Sequence, residues 1–143
     1  MKFLKKLAIL CMALTLCAGF TSLTACGGTG TSTESSANGE TKYSPDDVIP
    51  VPTDKAGYYF KVINADGTPA KDVKVQLCQG DKMCFDAVAV DANGDVCYVP
   101  TPGAGEYDIH VLGGEWGTDN IEFTGATTTT ATYPANYIIL VLK

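Results

Sequence analysis

Residues 88–112 read VAVDANGDVCYVPTPGAGEYDIHVL. At its head Asp91-Ala92-Asn93-Gly94 separates two apolar-rich runs, and the Asn-Gly pair supplies the positive φ that a tight hairpin turn demands. This predicts strands over residues 85–90 and 95–99. A break rich in proline and glycine, PTPGAG, follows. From residue 105 to 112, Tyr107, Ile109 and Val111 then alternate with Asp108 and His110. That is the period-two signature of a strand with one buried face.

The same pattern extends outward in both directions. Val73, Val75 and Leu77 alternate with Lys74 and Gln76, which predicts a strand with its valines inward. Residues 58–64 form an earlier strand, stopped by Asp66-Gly67 with Pro69 close behind, residues that favour turns. Downstream come a short strand at 121–123 and a strongly apolar last one at 136–142 (NYIILVL). A single sheet would leave one apolar face wet, so the expected domain, residues 57–143, is all-β: a small seven-stranded antiparallel sandwich.

The runs FKVINADGTPAKDVKVQLC (60–78), the stretch at 88–112, and EFTGATTTTATYPANYIILVL (122–142) together resemble the prealbumin-like (transthyretin-like) sandwich of bacterial surface proteins. That Ig-like group includes the carboxypeptidase regulatory-like and collagen-adhesin B-type modules. Gly67, Pro69, Val73, Val75, Leu77, Asp91, Gly94, Tyr98, Gly105 and Tyr107 fall in step with its pattern. The resemblance implies a fold, not an activity, because such folds host many roles. Collagen-adhesin B-type domains often carry a self-formed Lys–Asn isopeptide bond, for which Lys61 and Asn136 are placed here. The promoting acid is missing, since Val111 stands where it is expected, so the crosslink is not expected.

The N-terminus has its own logic. Lys2, Lys5 and Lys6 precede an apolar run from Leu7 to Phe20, the layout of a secretory signal peptide, expected over residues 1–25. At 1.5 Å per residue that run reaches roughly 21 Å, short of the ~30 Å hydrocarbon core of a bilayer. Leu23-Thr24-Ala25-Cys26 resembles the lipobox of bacterial lipoproteins. By that resemblance Cys26 is the lipidation site and the first mature residue. The protein is then expected on the extracytoplasmic face of the cell membrane, where two or more acyl chains give stable anchoring. Residues 26–56, rich in Gly, Ser, Thr and Pro, are expected to be a flexible linker.

Without residues 1–25 the chain has seven lysines, no arginine and sixteen carboxylates, a balance of −9. Phosphate backbones require basic patches, so nucleic acid is not an expected partner.

Cys78 and Cys84 bracket a five-residue connection, QGDKM, and secretion favours their oxidation. A disulfide between them is expected to contribute roughly 2 kcal/mol. Cys97 is the alternative partner for Cys78. The trio Asp91, Asn93 and Asp95 invites a calcium reading. An EF-hand loop counted from Asp91, however, needs glycine at Val96 and a bidentate acid at Pro102, so a turn is expected. His110 is the only histidine and has no nucleophile at recognisable spacing; no Cys-x-x-Cys pair suggests zinc. No catalytic residue, metal or cofactor is therefore expected. Trp116, the only tryptophan, lies in GGEWGTDN. It either contacts a ligand, a sugar or a protein partner, or caps the edge of the core.

The expected function is that of a non-catalytic, lipid-anchored cell-surface protein. Its partners would be the membrane, through Cys26, and an extracellular protein or glycan, through a binding or scaffolding sandwich. The alternative is an accessory docking subunit of an envelope, transport or secretion complex.

Overall fold

The computed structural model describes residues 41–99 and 102–143. The expected signal peptide, Cys26 and the first part of the expected linker lie outside the described residues. Among the described residues there is no helix. The strands are β1 (Tyr58–Ile63), β2 (Lys74–Gln79), β3 (Met83–Cys84), β4 (Val88–Ala89), β5 (Asp95–Tyr98), β6 (Asp108–Gly113), β7 (Asp119–Asn120), β8 (Phe123–Gly125) and β9 (Ile138–Leu142). One sheet has the order β5-β1-β9-β8; the other has β3-β2-β6-β7, with β4 also on β2.

The all-β, two-sheet architecture matches the expectation, with inner faces sharing one core. Tyr58, Phe60, Val62, Val96, Tyr98 and Leu140 come from the first sheet; Val75, Leu77, Ile109 and Val111 come from the second. The count and the directions differ from the expectation of seven antiparallel strands. β1 and β9 run parallel, Phe60 opposite Ile138 and Ile63 opposite Val141. Parallel neighbours need a long crossover, and here the rest of the domain serves as one.

The expected strand at 85–90 is broken because its pairing with β2 slips by one residue. Cys78 faces Cys84, whereas Val75 faces Val88, so an extra residue is accommodated between them as in a β-bulge. The carbonyls of Phe85 and Asp86 turn to side chains instead, Gln76 Nε2 at 3.0 Å and the Tyr98 hydroxyl at 2.7 Å.

The strand expected at 121–123 is divided by a second slip, on the far side of β6. Asn120 faces Leu112 and Thr128 faces Asp108. The residues between bulge away and lend Phe123–Gly125 to β9 in the other sheet. One segment therefore stitches both sheets together along this edge.

The turn after β4 forms at the expected residues, but it does not close a hairpin: β4 pairs with β2 in the second sheet and β5 with β1 in the first. Asp91 Oδ1 accepts the N–H groups of Asn93 at 2.7 Å and Asp95 at 2.9 Å, an Asx-type turn. Gly94 has φ 76°, and a Cβ there would stand 2.3 Å from the Val62 carbonyl oxygen. Only glycine allows so close a backbone approach.

Residues 43–56, read from composition as the end of a linker, are bonded to the domain. Tyr43 N–H donates to Gly67 O, Val51 N–H to Ala135 O, and Ile49 O accepts from Tyr137 N–H. Every residue of β1 is buried, and YYFKVI lacks the alternation of a half-exposed strand. Both follow from one arrangement: Tyr58, Phe60 and Val62 face the core, while Tyr59 and Lys61 lie toward Tyr43, Lys55 and Tyr137.

Candidate functional site

Trp116 is 79% exposed, so it does not cap the core. It sits in the β6–β7 turn, closed by a hydrogen bond from Gly117 N–H to Gly114 O at 3.0 Å. Glu115 and Trp116 occupy its two central positions. Gly114 and Gly117 have φ 82° and 62°, the left-handed region glycine enters freely. A Cβ on Gly114 would stand 2.2 Å from Asp119 Oδ2, and one on Gly117 would stand 2.9 Å from Lys74 Cε and Nζ. The two glycines thus let neighbouring side chains close on the turn, which presents the indole outward.

Beside the indole lies an open groove of about 340 Å³, lined by Asp72, Val73, Lys74, Ala89, Val90 and residues 114–117. Its walls come from the entry to β2, the end of β4 and the β6–β7 turn. Asp72 has φ 58°. An aspartate can adopt this conformation, but at a cost of about 1–2 kcal/mol relative to the right-handed region, and backbone strain of this kind clusters at functional sites. Among the described residues the side chains of Asp72, Lys74 and Glu115 enter no ion pair or hydrogen bond. Their polar capacity is open to a ligand.

Of these groups only Trp116 was singled out from the sequence. Asp72, Lys74 and Glu115 are ordinary surface charges in one dimension. The one available signal was the pair of glycines around Glu115-Trp116, which marks a tight turn presenting both residues.

The other predicted residues lie elsewhere. Cys78 and Cys84 are joined by a disulfide across β2 and β3. Cys97, opposite Tyr59 in β5, is not free. His110 is half-buried opposite Gln76, and the carboxylate of Asp91 is engaged by its own turn.

Lys61 and Asn136 are not brought together. Asn136 bridges Pro50, whereas Lys61, only 3% exposed, forms an ion pair with Asp95. The Lys61 ammonium also donates to Asn93 O at 3.1 Å and lies 4.2 Å from the centre of the Tyr43 ring. Burial pushes the Asp95 carboxyl above the usual carboxylate range, against the opposing pull of Lys61. Burial, assisted by Asp95, pushes the Tyr137 hydroxyl up to about 12. This cluster is closed over by the N-terminal segment, so its role is structural.

No family model, curated protein or solved structure matches the chain.

Proposed function

We propose that the chain is a non-catalytic, lipid-anchored protein of the extracytoplasmic membrane face whose two-sheet domain, a prealbumin-like sandwich, binds a ligand outside the cell. The observation that carries the binding role is the exposed Trp116, presented by a tight turn beside a groove with three uncommitted charged groups. Tryptophan is among the residues that dominate binding energy. The anchoring role is supported by the lipobox-like Leu23-Thr24-Ala25-Cys26 after a basic and then apolar N-terminus.

Two measurements test the reading. Membrane fractionation with radiolabelled palmitate should find the parent protein labelled and membrane-bound, and Cys26→Ser unlabelled and released. Membrane retention of Cys26→Ser would remove the anchor from the proposal.

A further inference from the structure

We infer that the groove at Trp116 is a carbohydrate subsite that takes an uncharged sugar ring. This rests on the binding role just proposed and specifies the chemical class of the ligand.

The inference follows from what the groove can and cannot accommodate. Its volume of about 340 Å³ falls at the lower end of the ~300–1,000 Å³ of small-molecule pockets, which suits a compact unit rather than a folded partner. A protein hot spot places its aromatic anchor among other apolar groups that exclude water. Here the indole shares the groove with three charged side chains and only small apolar ones, Val73, Ala89 and Val90, and Val48 and Met83, the other large exposed apolar residues among those described, lie outside it. A polyanion is opposed by Asp72 and Glu115 and by the excess of acids over lysines along the chain. For a cation, the Lys74 ammonium, which lies close to the Gly117 backbone, offsets one of the two carboxylates.

What remains is a neutral ligand with a flat apolar face and many hydroxyls. A sugar ring stacks its C–H face on an aromatic side chain. Its hydroxyls donate to the carboxylates of Asp72 and Glu115, and its oxygens accept from the ammonium of Lys74. Charge-assisted hydrogen bonds of this kind are about twice as strong as neutral ones. A mixed set of acceptors and donors around one aromatic plane thus matches a polyol better than either sign of ion. The left-handed backbone of Asp72 and the two turn glycines shape the main chain that carries this set.

Trp116 is the only tryptophan in the chain, so fluorescence excited at the red edge, where tyrosine does not absorb, reports this groove alone. Full-length protein in a non-glycosidic detergent is titrated with chitohexaose, cellohexaose, mannohexaose and laminarihexaose to about 10 mM, above the ~1 mM range of weak binding. At least one should give a saturable blue shift that persists in about 0.5 M NaCl, where the Debye length is about 4 Å. Calorimetry with that oligosaccharide should show Trp116→Ala weakened at least about tenfold with an unchanged melting temperature, the signature of a hot spot. Asp72→Asn and Glu115→Gln should each weaken it about threefold or more.

The inference is overturned if no oligosaccharide gives a saturable change, or if Trp116→Ala binds like the parent. It is overturned equally if the shift disappears in salt, or if only a lysine-rich peptide produces one. None of these outcomes alters the palmitate and fractionation result, so failure of the sugar site is distinguishable from failure of the anchor.

Discussion

Lys61 and Asp95 lie opposite one another on β1 and β5, beneath Tyr43 and Tyr137. Replacing Lys61 by Met keeps an unbranched apolar stem and removes the ammonium. Breaking a buried ion pair from one side costs about 3–5 kcal/mol, because the remaining charge is left uncompensated. That figure already contains the hydrogen bond to Asn93 O and the contact with the Tyr43 ring. The loss should depend on pH. Burial already raises the Asp95 carboxyl, and without Lys61 it should rise further, while in the unfolded chain it titrates near 3.9. A folded pKa above the unfolded one keeps the variant's stability intact below about pH 4 and removes it as pH rises, by up to about 1.4 kcal/mol per unit. Urea unfolding followed by circular dichroism should show Lys61→Met several kcal/mol below the parent at about pH 7 and much closer at about pH 4. Lys61→Met/Asp95→Leu should recover most of the difference, since a buried pair can be replaced by apolar groups at little cost. A pH-independent loss, or one under about 1 kcal/mol at neutral pH, would refute the reasoning and leave only a packing effect.

The Tyr98 hydroxyl lies within hydrogen-bond distance of Val75 O and Asp86 O. Tyr98→Phe should cost about 1–3 kcal/mol in urea melts by leaving the buried Val75 carbonyl and the part-buried Asp86 carbonyl under-satisfied. Burial pushes this hydroxyl up to about 12 from 10.0, so folded protein retains the proton longer and stability falls as pH rises through that window; Tyr98→Phe should flatten this alkaline limb. Replacing Cys78 and Cys84 by Ala should cost roughly 2 kcal/mol, or about 10 °C in melting temperature for a domain of this size; an unchanged melt would mean the bridge constrains nothing.

Where each residue's partner lay nearby or on a simple alternating face, the fold was legible in the sequence. The Asp91–Gly94 turn, the inward set Val75, Leu77, Ile109 and Val111, and the Cys78–Cys84 pair are all of that kind. Both register slips were invisible, because period two has no term for one side of a strand running longer than the other. The parallel contact of β1 with β9 pairs residues far apart in the chain and leaves no local signal. Residues 43–56 misled for a different reason. Their composition is that of a coil, and they are ordered by backbone hydrogen bonds to Gly67, Ala135 and Tyr137, which composition does not record. The double-sided burial of β1 could have betrayed them, since YYFKVI has no polar face for water and its one charge needed a partner.

Tyr43 is bonded to Gly67, within the same β1–β2 connection that supplies Asp72 to the groove. Residues 43–56 therefore belong to the folded unit and add nothing to the length of a tether. Sixteen residues separate Cys26 from Tyr43. A fully extended chain rises at most about 3.6 Å per residue, so this segment reaches no farther than about 60 Å whatever its conformation. A linker running to residue 56 would have allowed roughly 110 Å on the same count. Under the lipid anchor proposed for Cys26, Tyr43 stands no more than about 60 Å from the membrane surface, so the domain samples the envelope layer next to the lipid.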